Sequence, residues 1–514
     1  MSRCFLALVV LGAMLFQLPE SVLARPPAIN PKTALEELDF GVPQFTYSPS
    51  ARRVLAEISL RENQLLELGQ WLSLDQAIEL ALINNPELSA SYSTIEGQRW
   101  SVIAARRRWY PYLSVEPSRD SSLQFGASQR QNSTSAPIPG STITSETNQS
   151  WNIQANLGWT FFDASRRPAI QGAIRDLNAQ RLLFDVAARN LVLAVQVAYY
   201  RMQEQMRLVD QYKVITLLAT LQLDLAIERQ QQGRRLGNQI QQLRTTQRAE
   251  ITNLIDAYVA LFEYSVELSK LLALPGLSLV IPADAFDSPQ PWLDPLDATV
   301  AHALGFREEI AVALQQSQAQ SWRSSELLGA YWPRLDLLAV GKLDAFSNMS
   351  FVNGEASPNS QLNAGPGTVG IALNWSLYDG GIKAADAAKR RSEARTLALQ
   401  ADAARLQASA QVRQAYVRYV GSVLQVQNTT DAVSDSWSAF IGAIGLFHNN
   451  AINATTLIQT QAQLVDALTA AAAAQRLRST SVAELYRYSA RWPPDVERLF
   501  EQRGAQFDRL RPGS

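Results

Sequence analysis

At 514 residues the chain has room for several ordinary domains. Its 46 basic and 47 acidic side chains leave a net charge of -1 with the signs interspersed, which gives no field for nucleic acid. One cysteine and two histidines leave out a disulfide framework and a histidine-built metal site.

Residues 1–24 read as a secretory signal: Arg3, an uncharged apolar run from Phe5 to Leu18, then Val22-Leu23-Ala24 as a small-residue cleavage site. Cys4 precedes that run and leaves with it, so the mature chain is expected to carry no lipoprotein-type anchor, disulfide or thiol chemistry. No later uninterrupted apolar stretch reaches the length of a membrane-crossing helix, so any crossing is expected to use strands. Residues 25–70 are Pro-bearing and mixed in charge, and read as a loosely ordered N-terminal extension with a short helix near Arg52–Leu68.

The first repeat, 71–274, opens with a helix from Leu74, capped by Ser73, which Asn84-Asn85-Pro86-Glu87-Leu88 breaks. A second helix runs to Arg108, where Trp109-Tyr110-Pro111 stops it. A β-hairpin follows over 111–162, with the Ser/Thr/Asn/Gln-rich stretch 127–149 read as its exposed loop. From Trp151 to Phe161 every odd position is apolar, while Asn152, Gln154, Asn156, Gly158 and Thr160 fill the even ones. That alternation gives a strand with one oily face and one small or polar face, about the length of a tilted membrane-crossing strand. Asp163 then opens a long helix with Pro168 in its first turn, and apolar or small residues at 170, 174, 177, 184, 188, 191, 195, 198 and 202 form a coiled-coil seam. At 1.5 Å per residue this helix is about 100 Å long. Gly233-Arg234-Arg235-Leu236-Gly237 interrupts it, and a return helix from Asn238 ends at Leu274.

Residues 275–295 hold several prolines and read as a linker, after which the plan restarts over 296–490. Leu296-Asp297 matches Leu74-Asp75, Arg307-Glu308-Glu309-Ile310 matches Asn85-Pro86-Glu87-Leu88, and Tyr331-Trp332-Pro333 matches Trp109-Tyr110-Pro111, all at an offset of 222 residues. The offset becomes 216 at Trp159/Trp375, because the second polar loop is shorter. The second hairpin spans 333–378, its returning strand Thr368–Asp379 alternating like the first. A long helix from Ile382 to Phe447, a turn at His448–Asn453 and a return helix to Tyr488 complete the repeat. The tail, 491–514, is Arg-rich and reads as unstructured. The chain is thus an internal duplication.

These landmarks resemble the TolC family of outer-membrane efflux proteins. The resemblance covers about Leu74 to Tyr488, and rests on the Asn-Pro-Glu-Leu opening, the Trp-Tyr-Pro and Tyr-Trp-Pro strand entries, the Trp-x-x-Phe-Asp and Trp-x-x-Tyr-Asp-Gly-Gly strand exits, and the duplication. It implies a mainly α protein with a membrane β part: a homotrimer whose protomers each give four strands to one outer-membrane β-barrel, continued by a periplasmic α-helical barrel. It also implies a channel, the exit duct of a tripartite efflux or type I secretion system, partnered by a periplasmic adaptor (membrane fusion) protein and an inner-membrane pump. Independently, four strands cannot close a barrel and an open edge is not tolerated in lipid, so several chains must pool their strands. A soluble periplasmic coiled-coil adaptor or scaffold is the rival reading, though it has no use for two amphipathic hairpins.

Trp151, Ile153, Leu157, Trp159, Ile371, Leu373 and Trp375 are expected to face lipid, and Asn152, Asn156 and Asn374 the pore. Trp151 and Trp159 lie about 26 Å apart along the strand, a spacing suited to the two membrane interfaces. The family docks its adaptors on the helix-turn-helix ends. That reading falls here on Gly233, Arg234, Leu236, Gly237 and Asn238 in the first turn, and on Asn449, Asn450, Ile452, Asn453 and Thr455 in the second. Asn449–Gln463 contains no Asp or Glu, so the acidic cation gate of some relatives is not carried over. Asp163 and Asp379 read as helix caps rather than an acid/base pair, and Arg106-Arg107-Arg108 as a helix-end charge cluster. Gly365-Pro-Gly-Thr-Val-Gly370 matches a dinucleotide fingerprint in letters only, since it opens a strand instead of a helix. No catalytic constellation and no cofactor are expected.

Overall fold

The computed structural model describes residues 53, 56, 69–117, 122–130, 142–231, 237–274, 279–286, 291–352, 355–365, 367–449 and 451–502, with backbone alone at 117, 122–130, 142–152, 346, 348–352 and 355–357. The signal and most of the N-terminal extension lie outside the described residues. The helices are α1 (Leu74–Asn84), α2 (Pro86–Arg107), α3 (Arg166–Gln231), α4 (Gly237–Leu271), α5 (Leu296–Phe306), α6 (Glu308–Gly329), α7 (Ile382–His448), α8 (Ala454–Tyr488) and α9 (Pro494–Gln502). The strands are β1 (Gly69–Leu72), β2 (Tyr112–Pro117), β3 (Ser122–Arg130), β4 (Thr142–Phe162), β5 (Leu279–Pro282), β6 (Arg334–Val352), β7 (Glu355–Ala364) and β8 (Thr368–Asn374). The duplication is written in the helix lengths: α1 and α5 have 11 residues each, α2 and α6 22 each, α3 and α7 66 and 67, α4 and α8 35 each.

The chain divides into two units, one of residues 1–92, 183–309 and 404–514, the other of 93–182 and 310–403. The first unit is helical around a short sheet. Ser73 and Gln76 form a reciprocal capping box that satisfies two orphan N–H groups of α1. Asn85 caps α2, its Oδ1 accepting from the Glu87 and Leu88 backbones at 3.0 and 3.1 Å. β1 and β5 pair in parallel, so the end of the N-terminal extension and the proline-bearing linker are joined where the sequence suggested two loose segments. Ser265 on α4 fixes β5 by donating to the Val280 carbonyl and accepting from its N–H, both at 2.8 Å. The tail is also corrected: 494–502 form α9, whose Val496, Leu499 and Phe500 are buried and which packs against α1. Its apolar residues recur at helical spacing in a stretch too short to stand out against the arginines.

α3 buries a column at every seventh position, Ala188, Val195, Met202, Val209, Thr216 and Leu223, and α7 does the same with Ala387, Ala394, Ala401, Ala408 and Ala415. That spacing is the seam of a left-handed supercoil, and alanine along it permits close approach. Ser317 and Ser324 of α6 exploit that approach, donating to the Ala394 and Ala387 carbonyls at 2.8 and 2.9 Å. One stretch of α3 is long and apolar enough to cross a membrane by composition alone, but core helices of coiled coils pass that test too.

The second unit holds a six-stranded antiparallel sheet in which β4 and β6 form the central pair. β2 and β3 lie along the outer side of β4, and β7 and β8 along the outer side of β6. Four strand positions result, with edges on both sides that pair with nothing among the described residues. Within the polar stretches read as loops, 127–130, 142–149, 347–352 and 355–364 are strand, since β3 runs to Arg130, β4 begins at Thr142, β6 runs to Val352 and β7 follows it. Backbone ladders sustain strands there without an apolar face, helped in 142–149 by three threonines. The second returning strand stops at Asn374, because β6 begins opposite it at Arg334 and offers Trp375–Asp379 no ladder partner.

Candidate functional site

Register places the sheet's side chains in rows. Leu113, Leu157, Ala339 and Val369 lie side by side across the four strand positions, and Trp159, Leu337 and Ile371 form the next row. Ile153, Leu157, Trp159, Ile371 and Leu373 are 48, 37, 40, 69 and 61 % exposed, so this apolar face has no cover among the described residues. Trp151 is described by its backbone only, opposite Ala345. The other face is polar. Gln154 donates to Asn156, whose Nδ2 donates to Glu116 at 3.0 Å, and buried Asp336 accepts from Thr160, from Arg334 Nε at 2.9 Å and from Asn374 Nδ2 at 2.9 Å. Gly158 sits under the Tyr112 ring, where a Cβ would come within 2.5 Å of ring carbons and push the exposed tyrosine aside.

Each strand exit is strapped to a helix end by a tryptophan. Trp159 Nε1 donates to the Trp109 carbonyl at 2.9 Å, and Trp375 Nε1 to the Tyr331 carbonyl at 3.0 Å. A cation seals each strap: the Arg166 guanidinium lies 5.1 Å from the Trp109 ring, and Lys383 Nζ 5.2 Å from that of Tyr331. Asp163 accepts from the Ser165 N–H at 2.9 Å and hydroxyl at 2.6 Å, shaping the turn into α3. Asp379 reaches further, accepting from the Gly381 and Lys383 N–H groups at 3.0 and 3.1 Å and from the Tyr331 hydroxyl at 3.2 Å. Gly380 and Gly381 take φ of +71 and +84°, a left-handed turn that favours glycine.

The turn joining α7 and α8 rests on a core of Trp437, Phe440, Phe447, Leu457 and Leu464 with Ile215, Ile240 and Leu243. Ile452, one of the residues of the second turn expected to dock the adaptor, is half-buried against this core. Gly237, Asn238, Asn449, Asn453 and Thr455 are exposed. Asn453 also caps α8, its Oδ1 accepting from the Thr456 N–H at 2.9 Å. Gly233, Arg234, Leu236 and Asn450 lie outside the described residues. Above this core Gln461 donates to Glu250 at 3.0 Å and accepts from Gln222 at 2.9 Å, a buried chain linking α3, α4 and α8.

Sequence reasoning missed a buried ionic cluster in the first unit. Arg189 Nε meets Glu308 at 2.7 Å, and Arg487 donates to Glu309 at 2.6 Å and to Asn190 at 2.7 Å. Its members are scattered along the chain with no shared spacing, so no motif announces it. Burial, reinforced by the Glu308 carboxylate and only partly opposed by Arg189, pushes Asp185 up to about 7. A raised acid favours the folded state below its unfolded value near 3.8, and that advantage is lost as pH rises through about 7. Asp185→Asn is therefore expected to raise the melting temperature most near pH 8, less near pH 5, and to leave it nearly unchanged below about pH 3.8.

His302 Nδ1 lies 2.7 Å from the Ser489 carbonyl, to which the ring N–H must donate, and His448 is exposed at the end of α7. Among the described residues no group of His, Cys, Asp or Glu is placed to hold a metal.

The family model described as outer membrane efflux protein matches residues 77–274. No curated protein matches the chain. The solved outer-membrane channel OprN superposes with a TM-score of 0.63 at 14 % identity, covering 81 % of this chain and 89 % of its own. CusC, a protein described in terms of transmembrane channel formation, gives 0.65 at 13 % identity, with 82 and 93 % covered. The outer membrane protein VceC from Vibrio cholerae gives 0.62 at 15 %, with 81 and 95 % covered. The first repeat thus carries the signature of the outer membrane efflux protein family, and the chain has the fold of the TolC-like outer-membrane channels.

Proposed function

We propose that the protein is the outer-membrane exit duct of a tripartite efflux or type I secretion assembly, three copies pooling their strands into one barrel that passes substrate outward without chemistry of its own. The observation that carries this reading is the apolar face running across four strand positions, uncovered and bounded by two unpaired edges among the described residues, and followed by helices of 66 and 67 residues. Exposed apolar area of that extent needs lipid, and unpaired strand edges in lipid need other strands. A soluble adaptor satisfies neither requirement. Energy and substrate choice then belong to an inner-membrane pump. Purified protein is expected to form trimers that conduct ions across a planar bilayer; a chain recovered from the soluble periplasmic pool, and silent in bilayers, overturns the reading.

Adaptor docking belongs on the two helix-turn-helix ends. The exposed polar groups Gly237, Asn238, Asn449 and Thr455 sit over a rigid core, a firm platform for a partner's turn. A Cβ on Gly237 meets nothing within 4 Å, so a bulky side chain fits there without disturbing the helix pair. Gly237→Trp combined with Thr455→Trp is expected to abolish export and adaptor crosslinking while bilayer conductance persists. Undiminished export would move docking elsewhere.

A further inference from the structure

The first unit holds a cavity of about 240 Å³ between the middle of α3, the end of α8, the chain that follows β5 and the start of α9. One side of it is firmly built. Asp284 Oδ2 accepts from the Leu74 N–H at 2.7 Å and from the Tyr199 hydroxyl at 2.9 Å, and Gln203 Nε2 donates to the Asp284 and Ala285 carbonyls at 3.1 Å each. The floor is left bare. Gln196 is 3 % exposed, yet its amide has no hydrogen-bond partner among the described residues, and neither has the hydroxyl of Tyr200 or of Tyr486, which line the same cavity. Their polar atoms open on the cavity and are not sealed against protein. An amide and two phenols so placed cost free energy that a guest able to bond them recovers.

Helix packing alone does not call for these groups. Val195-Gln-Val-Ala-Tyr199 matches Val412-Arg-Gln-Ala-Tyr416 in the second repeat, where Arg413, Val417 and Val420 take the places of Gln196, Tyr200 and Gln203, the valines 68 and 44 % exposed. The charge around the cavity is mostly negative. Asp284 and Asp495 stand at its rim, and among the described residues lining it Arg498 is the one cation, paired with Asp495 at 3.2 Å. Burial, then Asp495 and Asp284, push the nearby Asp75 carboxyl up against the pull of Arg498, and burial with the same two carboxylates pushes the Tyr200 hydroxyl up. An anion would meet that field unfavourably, and an apolar guest would leave the floor bare. Among the described residues no group of carboxylates converges to hold a metal ion. A cation that also carries hydroxyl groups suits both floor and rim, and the tyrosine rings favour its charge.

We infer that this cavity binds a small organic ammonium ion bearing hydroxyl groups, the chemistry of an amino sugar, its ammonium toward Asp284 and Asp495 and its hydroxyls on Gln196, Tyr200 and Tyr486. At about 30 Å³ per water the volume equals roughly eight waters, the bulk of one hexose ring with its substituents. Asp495 lies in the first turn of α9, so the bound ion ties that helix to α3 and α8.

Isothermal titration calorimetry of the full chain, in a detergent without a sugar head group and a buffer without amines, tests this with D-glucosamine as the probe. A guest of about a dozen non-hydrogen atoms is expected to bind with a Kd of about 0.1–1 mM, a single glucosamine per chain. D-glucose, of the same size and without the charge, should bind at least about tenfold more weakly, and so should glucosamine to Tyr200→Phe, Gln196→Met and Asp495→Asn. Tyr200→Phe removes one oxygen and no packing, so it keeps the test open if Gln196→Met fails to fold. Glucosamine should also raise the melting temperature of wild type and not of these variants. No binding up to about 10 mM, equal affinity for glucose, or an affinity unchanged in all three variants overturns the inference. None of those results touches bilayer conductance, by which the channel reading stands or falls.

Discussion

Leu157→Arg is expected to abolish trimer assembly and membrane insertion, whereas Asn156→Arg, one residue away, should assemble and change only conductance. Leu157 lies in the apolar row with Leu113, Ala339 and Val369, and a charge on the lipid side of a barrel costs about 2–4 kcal/mol at mid-bilayer. In the proposed trimer the cost recurs in each copy. Asn156 belongs to the polar face, and an arginine there would find the Glu116 carboxylate that Asn156 now contacts. Heat-modifiable trimers on gels and single-channel recordings read both variants. A trimer that tolerates Leu157→Arg but loses assembly with Asn156→Arg would invert the two faces.

The other large effect is expected at Arg487. Its side chain is 5 % exposed and bridges Glu309 on α6 to Asn190 on α3, so Arg487→Ala strips the partly exposed Glu309 carboxylate of its closest partner. Burial pushes the Glu309 carboxyl up, and Arg487 and Arg307 outweigh that and hold it below the usual carboxylate range. Leaving such a group half-partnered, with Arg307 and some solvent still in reach, costs about 1–3 kcal/mol. Adding Glu309→Gln to Arg487→Ala is expected to recover much of the loss, since the uncompensated charge goes with it. Melting of the two variants against wild type measures this, and a single variant as stable as wild type would mean that Arg307 alone suffices for Glu309.

Much of the fold was legible because its signals repeat. Proline and glycine punctuation at Asn85-Pro86, Tyr110-Pro111 and Trp332-Pro333 marks helix ends, and the fixed offsets between repeats lend each weak landmark the support of its twin. What stayed hidden lacked a periodic or duplicated signal. β1 and β5 are four residues each and pair across 210 positions, with nothing in either segment pointing to the other. The polar ends of β4 and β6 alternate nothing apolar, so only their ladder identifies them. Spacing marks Trp151 and Trp159 as membrane anchors, whereas the indole bonds of Trp159 and Trp375 to Trp109 and Tyr331 depend on a fold that brings strand exit and helix end together.

The buried columns at every seventh residue of α3 and α7 restrict how this molecule can change length. Each residue advances an α-helix by about 100°, so a single insertion within α3 would carry all later side chains of the column out of the seam, and Met202, Val209 and Thr216 would no longer point where Ala188 points. Seven residues return the column to its original azimuth within about 20°. Length variants of these hairpins should therefore be quantised, viable when seven residues are added or removed together in the outgoing and returning arms and failing otherwise. Any relative that reaches its partner over a longer span should differ from this chain by whole heptads.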